Sequence, residues 1–147
     1  MMFRKNFNTW AGAGMTPLIK KLGMKPGMRV LIVQAPDGYL ESLGPLPEAV
    51  QVSSAIGGSH EYIQFFATRK AEILKSAPKL IKAAAKGAVV WITYPKKTSG
   101  VKSDLYREEV WDAMKETGWE PVSAVAIDDV WSGLRFRPRE DIKARNK

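Results

Sequence analysis

The sequence predicts a single Rossmann-like α/β domain of three layers, its mostly parallel sheet of about six strands ending in an antiparallel hairpin. Three observations predict it. Apolar runs of strand length alternate with helical stretches from Val30 to Thr117. The runs are continuous rather than alternating, as in strands buried on both faces. The chain then finishes with two extended runs separated only by Asp128 and Asp129.

The elements follow in order. Residues 1–14 show no periodicity and are assigned to a flexible N-terminal arm, residues 15–139 to the α/β domain and residues 140–147 to a basic C-terminal tail. Thr16 and Pro17 read as an N-cap and first helical residue, and Gly23 closes that short helix. Pro26-Gly27 is a turn before the apolar strand Val30 to Val33. Pro36-Asp37-Gly38 is a turn before a short helix from Tyr39 to Leu43, which Gly44-Pro45 stops. Val50 to Ser53 is a short strand, "IGGSHE" a loop, and Tyr62 to Ala67 a third strand with Thr68 as the cap of the next helix.

That helix is expected over residues 69–86, with a kink or restart at Pro78 and Ser76 as the new cap. Ile73, Ala77, Leu80, Ile81 and Ala84 form its apolar stripe. Lys75, Lys79, Lys82 and Lys86 share a face that reads as solvated. Gly87 ends it, and Ala88 to Tyr94, "AVVWITY", is the clearest strand. Ser103 is the expected cap of a helix running to Thr117, with Gly118 at its end and Asp104, Glu108 and Glu109 complementing its dipole. Val122 to Ile127 and Val130 to Phe136 form the hairpin. The alternation and the terminal hairpin predict a mostly parallel sheet with the sixth strand antiparallel. The connection from Ser54 to Glu61 is short for a parallel crossover, which normally takes ~10–12 residues.

Composition narrows the function. The chain has no cysteine, which excludes disulfides and thiolate chemistry and suits a reducing cytoplasm. No apolar run approaches the ~20 residues of a membrane span, and the first residues lack the core of a signal peptide. The net charge of +8 invites a nucleic-acid reading, but the basic residues are scattered and no recognition motif accompanies them. They argue against nucleic acid without excluding it. The pattern G-x-x-x-x-G-K-[ST] is absent, as is the S-x-x-K that would complete a penicillin-recognising site around "KTSG". His60 is the lone histidine, beside Ser59 and Glu61, and reads as a solvated or hydrogen-bonded loop residue. No metal site is expected.

In open α/β sheets ligands bind at the carboxyl ends of the strands. There the most suggestive loop is "YPKKTSGVKSD". Pro95, lacking an N–H, is expected to end the ladder. Lys96 and Lys97 bring charge, Thr98 and Ser99 hydroxyls, Gly100 a permissive backbone, and a helix N-terminus is expected just beyond. All of these attract an anion. Ala35 to Tyr39, after the first strand, are the expected opposite wall, with Asp37 and Gly38 as its candidate site residues.

Two resemblances add to this. "KPGMRVLIVQAPDGY" and "LIKAAAKGAVVWITYP" resemble the S-adenosylmethionine-dependent methyltransferases, which implies their Rossmann-like fold and, with the alternation and the hairpin, strand order 2-1-3-4-6-5. The chain departs from them in the cofactor signature. Gln34-Ala35-Pro36-Asp37-Gly38 stands where that family has a glycine-rich turn, and Val50 to Ser53 ends without the acidic residue that would hold the ribose. No cofactor is therefore expected. Over residues 15–139, "TPLIKKLGMKPGMRV", "LGPLP", "YPKKTSGVKSDL" and "DDVWSGLRFRPR" resemble a bacterial family of unknown function (domain of unknown function, number three-zero-five-two), with Tyr94 where tryptophan is typical. That resemblance implies treating Lys96, Lys97, Ser99, Trp131, Ser132 and Arg135 as one group. Three functions stay open: an α/β domain, enzymatic or not, that binds a phosphate-bearing or other anionic small molecule; a basic module for nucleic acid or an acidic protein; and a degenerate methyltransferase-like fold.

Overall fold

The computed structural model describes residues 16–145. The expected N-terminal arm, residues 1–14, lies outside them. A six-stranded sheet carries the fold, built from β1 (Arg29–Val33), β2 (Gln51–Ser53), β3 (His60–Phe66), β4 (Ala84–Pro95), β5 (Trp119–Ala126) and β6 (Trp131–Pro138). Its order is β2-β1-β3-β4-β6-β5, as the sequence predicts. Parallel pairing joins β2, β1, β3 and β4, whereas β6 runs antiparallel to both β4 and β5.

Helices cover both faces. On one face lie α3 (Lys70–Lys82) and α4 (Arg107–Met114), packed through Ile73, Ala77, Leu80, Val110 and Met114 against Leu31, Ile63, Phe65, Val90 and Ile92. On the other lie α1 (Pro17–Leu22) and α2 (Tyr39–Ser42), packed against Val30, Ile32, Tyr62, Phe66 and Trp91. Period-2 alternation divides each central strand between the two layers.

The short crossover from β2 to β3 works because β2 is only three residues long and pairs with the first half of β1, Arg29 to Leu31. The six residues between the strands have little distance to cover, and Ile56 anchors them to the α3–α4 layer.

Several boundaries differ from expectation. His60 and Glu61 belong to β3, and His60 is 7% exposed with Nε2 2.7 Å from the Gly57 carbonyl. Helix α3 runs unbroken through Pro78, which lies on its exposed side. It starts after Arg69, not Thr68, and stops at Lys82. Ala84 already pairs with His60, and Gly87, at φ 77°, sits in a register shift between β3 and β4. Lys86 therefore leaves the lysine face. Residues 139–145 form a helix, α5 (Arg139–Arg145), where composition suggested only a basic tail.

The centre of the sheet is held by Trp91, 2% exposed, whose indole N–H donates to the Leu22 carbonyl of α1 at 2.8 Å. Its buried ring crowds Gly133, where a Cβ would lie 3.1 Å from it. Gly133→Ala should therefore destabilise the fold by about 1–3 kcal/mol through overpacking. Trp91→Phe keeps a ring but strands the Leu22 carbonyl, at about 1–3 kcal/mol for the lost partner alone. Urea denaturation of both variants checks this, and a midpoint equal to wild type in either would contradict it.

Candidate functional site

The lysine loop leaves the carboxyl end of β4, the sheet's longest central strand. Pro95 is the last residue of β4 and pairs with Trp131, and one further bond beyond the ladder runs from the Lys96 N–H to the Val130 carbonyl at 2.7 Å. Lys97–Ser99 then form a 3-10 turn closed by Gly100 at φ 82°. Lys96 is half-buried, Ser99 is half-buried with Oγ accepting from Val101 N–H, and Lys97, Thr98 and Gly100 are exposed. The Lys97 ammonium sits 5.3 Å from the centre of the Tyr106 ring, within cation–π range. Among the described residues no ion pair uses Lys96 or Lys97.

The helix beyond this turn starts later than Ser103. Helix α4 starts at Arg107 with Tyr106 as its N-cap. Ser103 and Asp104 serve α3 and its approach instead: Ser103 Oγ donates to the Thr68 carbonyl at 2.8 Å, and Asp104 accepts from the Lys70 N–H at 2.7 Å. A cap signal in sequence names a helix start but not which helix, and here the cap reaches 34 residues back.

The hairpin does reach the loop. Asp128 accepts from the N–H groups of Val130 and Trp131, both at 2.8 Å, which tightens the turn and sets Trp131 opposite Pro95 and Ser132 opposite Tyr94. Arg135 pairs with Trp91, four residues along β6 and so about 13 Å from that end. It is not brought together with the lysines. The "WSGLRF" block is explained by packing: Trp131 meets Phe66 edge-on, Gly133 clears Trp91, and Leu134 and Phe136 fill the opposite layer. Asp37 and Gly38 are exposed beyond β1, two strands and about 10 Å across the sheet from the loop, with Gly38 capping α2 at φ 83°.

Between them lies a polar group that sequence reading passed over. Tyr39 and Tyr62 both donate to Gln64 Oε1, at 3.0 and 2.9 Å, and Gln64 Nε2 donates to Thr93 Oγ1 at 3.1 Å. Gln64 and Thr93 are wholly buried. Burial pushes the Tyr39 hydroxyl up to about 12, with the Gln64 bond opposing and the Asp128 charge adding, and burial holds Tyr62 well above its ordinary value. Both are neutral donors at physiological pH. Polar side chains inside apolar runs were the available signal, since a buried glutamine demands partners.

At the start of α3, Glu72 accepts from the N–H groups of Thr68 (2.8 Å) and Arg69 (3.0 Å). Burial alone would raise its carboxyl, but these amides, with Gln34 and the Thr68 hydroxyl, outweigh burial and lower it.

No family model matches the chain, and no curated protein matches it. Solved structures do. The chain is similar to an S-adenosylmethionine-dependent methyltransferase from Aquifex aeolicus, with a TM-score of 0.58 at 19% identity, over 81% of this chain and 86% of that one. It is similar to the ribosomal protein L11 methylase of Lactobacillus delbrueckii subsp. bulgaricus (TM-score 0.55, 13% identity, 82% and 74%). A third is Aeropyrum pernix fibrillarin with natively bound S-adenosyl-L-methionine (TM-score 0.53, 11% identity, 78% and 68%). The fold is thus that of the Rossmann-like methyltransferases. Gln34 holds the turn after β1 at φ 61°, and β2, three exposed residues, ends at Ser53.

The Glu72 cap gives a pH prediction. A carboxyl lowered in the folded state adds stability above its unfolded value, ~4.3, and loses it as pH falls toward the folded value. Thermal melts of wild type and Glu72→Gln should differ by a constant margin from pH 5 to 7 and converge below about pH 4. A margin that stays unchanged down to pH 3 would contradict the cap.

Proposed function

We propose that this chain is a ligand-binding α/β domain that takes a phosphate-bearing or other anionic small molecule at Pro95–Gly100. The observation that carries the reading is the pair Lys96 and Lys97, at the carboxyl edge of the sheet, with no carboxylate of the described residues to neutralise either. Lys96 is anchored, its own N–H bonded across to β6, so its ammonium starts from a fixed root. Lys97 is held against Tyr106, and Thr98 and Ser99 add hydroxyls on the same turn. Trp131 forms the neighbouring wall through its pairing with Pro95. Arg135, Asp37 and Gly38 do not share this turn. The departures at the cofactor turn support a domain that keeps the methyltransferase frame without its chemistry. The "YPKKTSGVKSDL" and "WSGLRF" blocks support a place in the bacterial family of unknown function, and the absence of cysteine supports a cytoplasmic setting.

Thermal shift with inorganic phosphate and nucleotides tests the site. Ligand should raise the melting temperature of wild type, and the Lys96→Ala/Lys97→Ala variant should lose that response. Its unliganded stability should change by no more than about 0.5 kcal/mol per residue. A charge-assisted contact contributes roughly 1.5–3 kcal/mol, about tenfold or more in affinity per lysine. Equal responses in wild type and variant would make the pair plain surface charges.

A further inference from the structure

We infer that the crevice this fold offers to a ligand is closed in this chain by its own side chains, so that S-adenosylmethionine and S-adenosylhomocysteine do not bind there. In an open α/β sheet the crevice opens where two neighbouring strands send their connections in opposite directions. Here those strands are β1, which leads through α2 to β2, and β3, which leads through α3 to β4.

Three layers of contacts close the gap. At the rim, Gln34, the first residue beyond β1, holds φ 61°, a conformation unusual for a residue with a side chain. From there its Nε2 donates to the carbonyl of Phe66, the last residue of β3, at 2.8 Å, and reaches Glu72 Oε2 at 3.4 Å. One side chain thus ties the two strand ends together. Beneath it, Phe66 is met edge-on by Tyr39 at 4.7 Å and by Trp131 at 5.1 Å. Tyr39 is fixed in turn by its bond to buried Gln64. The third layer is the start of α3, where a ligand's anionic group would seek amides. The N–H groups of Thr68 and Arg69 are taken by Glu72 and that of Lys70 by Asp104. An incoming carboxylate or phosphate would have to displace two carboxylates already in place.

A glycine turn would let a ligand approach the backbone; this turn is instead a joint between β1 and β3. The inference is independent of the lysine loop, which lies beyond β4.

The test uses the full chain, with thermal shift and titration calorimetry against S-adenosylmethionine and S-adenosylhomocysteine. Wild type should show no shift and no heat at about 1 mM, where a ligand at a hundred times its Kd would give a plain rise in Tm. Gln34→Ala keeps the Cβ, and so the backbone strain, but removes the tie. Without ligand its Tm should fall by about 3–6 °C. A dose-dependent rise in wild-type Tm with either compound would overturn the inference, as would Gln34→Ala melting at the wild-type temperature. Phosphate response, lost only in the Lys96→Ala/Lys97→Ala variant, reports on the other site separately.

Discussion

Trp91 is the residue on which the arrangement of this domain turns. It sits mid-way along β4, and its indole N–H has to find a partner once buried. The Leu22 carbonyl supplies it, which fixes α1 over the centre of the sheet. The same ring packs closely over Gly133 on the neighbouring strand, a contact that favours the hairpin register in which glycine stands there. That register in turn brings Val130 to Lys96 and Trp131 to Pro95 and Phe66. A packing demand in the core thereby sets the geometry of the carboxyl edge.

At that edge the chain uses its polar groups internally on one side and leaves them open on the other. Around β1 and β3, Gln34, Glu72 and Asp104 satisfy the strand ends and helix amides that a ligand would otherwise use. Tyr39, Tyr62, Gln64 and Thr93 form a buried network whose members satisfy one another, which gives rigidity rather than reactivity. Beyond β4, two lysines stand without a carboxylate among the described residues. Likeness to methyltransferases therefore describes the frame, and the chemistry of the edge belongs to this chain.

Much of this was legible in the sequence. Continuous apolar runs marked the buried strands, the two acidic residues between Ile127 and Val130 marked the hairpin, and these with the methyltransferase-like layout led to the strand order. What escaped had long-range causes. Ala84 to Lys86 has strong helix propensity, but Ala84 pairs with His60, and strand pairing overrides propensity. Ser103 and Asp104 look like a local cap, yet they act on Thr68 and Lys70 of a different segment. The polar start of β3 hid His60 and Glu61 in an apparent loop, although the Glu61 carboxylate takes the Arg29 N–H on β1 and pairs with its guanidinium. At the carboxyl edge, Trp131 lies opposite Pro95 and so next to Lys96, whereas Arg135 lies about 13 Å away along β6, because adjacency in a motif becomes distance once the motif is extended as a strand.

Amide hydrogen exchange on the full chain, with and without phosphate and with and without S-adenosylhomocysteine, tests most directly where this domain meets a ligand. The account predicts slower exchange over residues 96–101 with phosphate, and no change over residues 34–39 or 67–72 with either compound. Protection at residues 34–39 with S-adenosylhomocysteine, or none at 96–101 with phosphate, would contradict it.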